Sequence, residues 1–93
     1  PDLDRPREPL EAYPLESLKF VGVIQRRTQS FAIIQVDSAL YQVRVGNYVG
    51  QNFGVITKIT ETETTLKELV QDSAGDWVER SSTLLLQAQE GKK

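Results

Sequence analysis

Histidine and cysteine are both absent from the 93 residues of this chain. That removes the commonest general base, the thiol nucleophile, most zinc ligands and any disulfide. The serines have no imidazole to activate them, and no spacing singles out a serine–lysine pair. Glu61, Glu63 and Glu68 form a loose carboxylate group, but on a strand such spacing describes a solvated face more readily than an acid–base pair. Gly46, Gly50 and Gly54 recur every four residues. They precede an apolar run rather than a helix, and they lack the lysine and hydroxyl residue of a phosphate-binding loop. These residue types predict no enzyme, no metal and no cofactor, and they direct attention to binding.

The glycines belong to the stretch that organises the chain, Tyr41 to Thr60. Tyr41, Val43 and Val45 alternate with Gln42 and Arg44, the pattern of a half-buried strand. Gly46, Asn47, Gly50, Asn52 and Gly54 then supply turn residues that accept unusual backbone angles. Val55, Ile56 and Ile59 open a further strand. Tyr48, Val49 and Phe53 are expected to fold inward and plug one end of a β structure.

Around this stretch the pattern predicts more strands. Leu18 to Gln25 is apolar on both alternations, with Leu18, Phe20 and Ile24 on one face and Val21 and Val23 on the other. Phe31 to Val36 follows, then a turn at Asp37-Ser38-Ala39. Glu63 to Gln71 reads as strand through its threonines, against the helical preference of its LKEL segment. Asp72 to Asp76 is a hairpin connection with Gly75 at the positive-φ position. Trp77 to Arg80 and Thr83 to Ala88 are read as two strands around a corner at Ser81-Ser82. The expectation is an all-β domain over residues 15–88, a seven-stranded sandwich or barrel-like body. Phe20, Phe31, Tyr41, Tyr48, Phe53 and Trp77 are expected in the core first and against ligands second.

The four prolines all lie at or before residue 14. Residues 1–14 therefore read as a flexible, partly polyproline arm with Leu3, Leu10 and Tyr13 as apolar anchors for a partner, and residues 89–93 as a frayed tail. The arm carries four acids against two bases, and the remaining chain has nine of each. A neutral body, in a chain whose pI is near 5.1, lacks the basic surface that nucleic acids or anionic membranes require. A small SH3-like or OB-like barrel binding RNA or single strands is the alternative, with only Arg26, Arg27, Arg44 and Lys58 available to it. A protein–protein module fits better, because a small sandwich has free edges that a partner strand can extend. On the first strand, Lys19, Val21 and Val23 with nearby Arg26 and Arg27 are the candidate contacts.

Three segments in order, PLESLKFVGVI (14–24), YQVRVGNYVGQNFGVITKI (41–59) and LKELVQDSAGDWVERSSTLLL (66–86), resemble the pilus assembly lipoprotein family PilP. The resemblance implies a small β-sandwich related to the homology region of the secretion protein GspC. It also implies a periplasmic location, with a lipid on an upstream cysteine, absent from this chain, tethering the protein to the inner membrane. The implied role is to link the inner-membrane proteins PilN and PilO, through the arm, to the outer-membrane secretin PilQ, through the β domain.

Overall fold

Alternating apolar and β-branched residues carry this chain into strands, which a computed structural model describing residues 3–87 arranges as two antiparallel sheets. The first sheet holds β1 (Lys19–Arg26), β2 (Gln29–Val36) and β3 (Ala39–Val43) in that order. The second holds β4 (Tyr48–Val49), β5 (Gly54–Ile59), β6 (Glu63–Gln71) and β7 (Trp77–Leu85), again in sequence order. The hairpins of the first sheet turn at Arg27 and Asp37, whose φ of 55° and 54° suit tight reversals. Phe20, Ala32, Ile34, Val36 and Val43 from one sheet meet Val49, Ile56 and Leu66 from the other in a single buried core. The domain is thus the expected all-β, seven-stranded two-layer body, with its strands divided differently. β4 spans only two residues. The two strands read around Ser81-Ser82 are one, because β6 offers β7 an unbroken register from Gln71↔Trp77 to Glu63↔Leu85.

Two further expectations need correction. The register of β1 shifts between Phe20 and Gly22, so Phe20 faces Ile34 and Val23 faces Ala32. Both therefore point into the core side, and Ile24, opposite Phe31, is turned to the outer face. One extra residue in the strand reverses every side chain after it.

The second concerns the arm, which is packed rather than free. Pro9–Ala12 forms a 3-10 turn, and Leu10 is only 2 % exposed within the core. Proline at the first position of such a turn has its φ preset and gives up no needed N–H. The backbone N–H of Gly50 donates to the Leu10 carbonyl at 3.1 Å, and the N–H of Tyr48 donates to Glu8 Oε1 at 3.0 Å. The arm thereby satisfies the outer edge of β4. We expect Leu10→Ala to cost about 2–4 kcal/mol, as for other buried leucines. Removing residues 1–13 should lower the melting temperature, and an unchanged value would show that the arm is dispensable.

In the central stretch Gly46 and Gly50 hold φ of 99° and 79°, and Gly75 holds 90° in its turn. Gly54 is required for another reason. A Cβ there would stand 2.6 Å from Leu66 Cδ1 and 2.7 Å from the Val49 carbonyl oxygen. At Gly46 a Cβ would meet nothing within 4 Å. Gly54→Ala should therefore destabilise through overpacking, by about 1–3 kcal/mol, and Gly46→Ala through backbone angle alone, by about 1 kcal/mol. Thermal melts of the two variants check the order, and equal losses would contradict it.

Candidate functional site

Register places Tyr48, Val55, Lys67, Leu69 and Glu79 on the outer face of the second sheet, away from the core. With Phe53 and Arg5 they line a cleft of about 150 Å³. Each wall has a definite origin. The Arg5 guanidinium lies 3.4 Å from the centre of the Tyr48 ring, within range of a cation–π contact. It also donates two hydrogen bonds to the Glu11 carboxylate, at 2.9 and 2.7 Å. Glu11 is buried and accepts a third bond from the Glu8 backbone N–H. The bonds from Arg5 hold its carboxyl below the usual carboxylate range, against the opposing effect of burial. The N-terminal segment is thus a wall of the cleft.

The opposite wall is aromatic. The Leu69 N–H donates to the Asn52 carbonyl at 2.9 Å, which draws the turn after β4 against β6. The next residue, Phe53, has φ of 56°, a left-handed value that a bulky non-glycine side chain rarely takes. That angle sets the Phe53 ring edge-on to Trp77, with centroids 5.7 Å apart and an interplanar angle of 82°. Trp77, expected in the core, is instead 44 % exposed at the start of β7. Lys67 and Glu79 lie 3.9 Å apart on the rim, both exposed, and such a pair contributes little stability.

Beneath this face, on the core side, lies Glu68, which is 0 % exposed. Its Oε1 accepts bonds from Arg80 Nε at 3.2 Å, Arg80 Nη2 at 3.0 Å and Ser82 Oγ at 2.6 Å. Its Oε2 has no partner within the described protein, and neither does the Thr64 hydroxyl four residues back along β6. The sequence reading grouped Glu68 with Glu61 and Glu63 on a solvated face. Those two are exposed, but Glu68 stands an odd number of residues from Glu63 and so occupies the opposite face of β6. That parity was available in the sequence. Among the described residues no group of His, Cys, Asp or Glu gathers where it could hold a metal ion.

None of the candidate contacts chosen from sequence lines the cleft. Leu10 is in the core, and Tyr13 packs against it with its phenol pushed above the usual value by the neighbouring Tyr41 phenol. Val23 is half-buried against the core and Val21 sits in the β1 bulge. Lys19, Arg26 and Arg27 are exposed, but Lys19 and Arg26 stand at opposite ends of β1 and so about 23 Å apart. They do not form one surface.

The fold and this face define a small two-sheet β module with an aromatic cleft on one outer side. The chain belongs to the family described as "Pilus assembly protein, PilP", whose model matches residues 1–86. It is 34 % identical over 86 residues to the type IV pilus inner membrane component PilP of Pseudomonas aeruginosa, covering 92 % of this chain and 49 % of that protein. It thus spans about half the length of that relative. A domain of the Pseudomonas aeruginosa type IV pilus biogenesis lipoprotein PilP superposes with a TM-score of 0.84 at 34 % identity, covering 92 % of this chain and 99 % of the other. A domain of the Neisseria meningitidis PilP pilot protein gives 0.73 at 40 % identity, covering 100 % of this chain and 80 % of the other.

The single tryptophan is a reporter of the cleft. Phe53→Gly removes the ring but relieves the left-handed backbone, two effects of about 1 kcal/mol and opposite sign. We expect a melting temperature within a few degrees of the parent and a red-shifted Trp77 emission. A large loss of stability would place Phe53 in the core instead.

Proposed function

We propose that this chain is a non-enzymatic adaptor domain of the type IV pilus machine, working in the periplasm. In this reading the longer protein is tethered to the inner membrane by an N-terminal lipid. The β domain contacts the periplasmic domains of the secretin PilQ, and the N-terminal side of the chain contacts PilN and PilO. Its work is alignment: one chain holds two membrane complexes in register. Family membership supports the pilus setting.

The observation that carries the reading is the exposed Trp77 ring held against the half-buried Phe53 beside the cleft. Left-handed strain at Phe53 persists only where the surroundings hold it, and strain of that kind concentrates at binding surfaces. Exposed tryptophan and tyrosine next to arginine are the residue types on which protein interfaces concentrate their energy. Packing of residues 5–13 onto the second sheet shifts the proposed inner-membrane contact toward Leu3, which is 73 % exposed, and away from Leu10 and Tyr13.

Titration of the isotope-labelled chain with the periplasmic domains of the secretin tests this. The expected result is chemical-shift change at Tyr48, Phe53, Leu69 and Trp77, and a roughly tenfold or greater loss of affinity in Trp77→Ala. Shifts confined to residues 3–18 would remove the β domain from the contact.

A further inference from the structure

Of the four edges of the two sheets, two are closed or short and a third is met at one end. The outer side of β4 is satisfied by Glu8 and Leu10 of the arm. The outer side of β1 is met at its start by the end of β7, where Phe20 bridges Leu86 in parallel and the Gln87 N–H donates to the Phe20 carbonyl at 2.9 Å. β3 spans only five residues. β7 is different. It is nine residues long, is paired with β6 along its whole length, and among the described residues nothing pairs with its other side from Trp77 to Thr83. Every second residue of such a strand turns an N–H and a C=O outward.

Resting on the adaptor reading above, we infer that this open edge of β7 takes an extended segment of the partner protein as an added strand. The added strand would continue the outer face of the second sheet beyond Trp77 and Glu79, so its alternate side chains reach the aromatic wall of the cleft. The residues of β7 state what it accepts. Apolar side chains suit the positions beside Trp77 and Val78, which are both exposed. A basic residue does not suit the position opposite Arg80, whose side chain is 53 % exposed and already bonded to Glu68. A like charge directly opposite would be unfavourable.

A second copy of this chain fits poorly. A two-fold axis must pass through one residue of β7, because directly paired residues share a face. At Glu79 it opposes two carboxylates, and at Arg80 two guanidinium groups. At Val78 it leaves only residues 77–79 in strand register before the turn at 72–76. At Ser81, Ser82 or Thr83 it drives the copy's strand alongside Leu85, next to the Leu86–Phe20 bridge. The edge is therefore open to a foreign strand and guarded against its own.

Amide hydrogen exchange, measured on the chain alone and with the secretin periplasmic domains, separates the outcomes. Strand addition predicts that the amides of residues 77–83 directed away from β6 exchange quickly in the free chain and become protected in the complex. Binding with protection only around the cleft would overturn the added strand while leaving the adaptor reading intact. No binding at all would overturn both. A dimer of the free chain, protected along β7, would make the occupant a second copy and also overturn the inference. Val78→Pro and Glu79→Pro provide a second readout. Neighbouring residues point their N–H groups in opposite directions, so one of the two leaves the β6 ladder whole. The variant that melts like the parent should bind about tenfold more weakly. Undiminished binding by that variant would count against strand addition, and if neither variant folds, exchange protection alone decides.

Discussion

Leu66 occupies the space that a side chain at residue 54 would need, and the second sheet depends on that contact. With glycine at 54, β5 can lie close over β6 while the Val49 carbonyl comes within 2.7 Å of the same point. The two-residue β4 can then pair back on β5, through Tyr48↔Val55 and Val49↔Gly54. The turn between them is drawn onto β6 by the bond from Leu69 to Asn52. Phe53 is left with a left-handed backbone and its ring against Trp77. One absent methyl group in the interior thus fixes the aromatic wall on the exterior. Tyr48 of β4 and Gly50 just after it supply the donors that hold the arm, so the N-terminal wall follows from the same pairing.

Two buried carboxylates lock what that packing begins. Glu11 and Glu68 are each taken out of water and each held by one arginine. Removing charge from water costs more than most ion pairs return, so such pairs say little about net stability. Their geometry is the informative part. Arg5 joins Glu11 to the Tyr48 ring and fixes the arm as one side of the cleft. Arg80 and Ser82 tie β7 to Glu68 on the core side. In both cases the segment that borders the outer face is pinned by a polar contact needing one particular alignment. That is how a small domain can hold an edge strand and an arm in place with few apolar contacts to spare.

How far the sequence could show this depends on where its signals are local. Apolar and β-branched runs marked β2, β5 and β6, while the alternation of Tyr41, Val43 and Val45 placed β3 two residues late, since the strand is Ala39–Val43 and Val45 is exposed. β6 prevailed over the helical preference of LKEL because strands flank it on both sides. The β1 bulge carries no residue signature beyond Gly22, so the faces of Val23 and Ile24 were exchanged. The serines at 81 and 82 resemble a corner until β6 is seen to run the full length beside them. The prolines of the arm suggested an unpacked segment. Proline only restricts φ, and the capping arrangement of Glu8 with Glu11 turns that restriction into a 3-10 turn. The cleft itself was the least legible. Its residues come from the arm, a turn and four strands, and only the three-dimensional register unites them.

The position of Trp77 argues most directly for a binding role. A domain of this size buries a modest share of its surface, and its margin of stability is a few kcal/mol. Leaving an indole 44 % exposed forgoes about 2 kcal/mol of apolar burial. Phe53 adds the cost of its left-handed backbone in order to meet that ring. A sequence under no constraint but folding would put the tryptophan where β7 meets the core, as Leu84 does, and not at the uncovered start of the strand, where even Val78 on the core-side alternation is exposed. Instead the largest side chain in the chain stands on the outer face, at the beginning of the open strand edge, braced by a strained neighbour. Stability is given up there for a surface that another protein can bury.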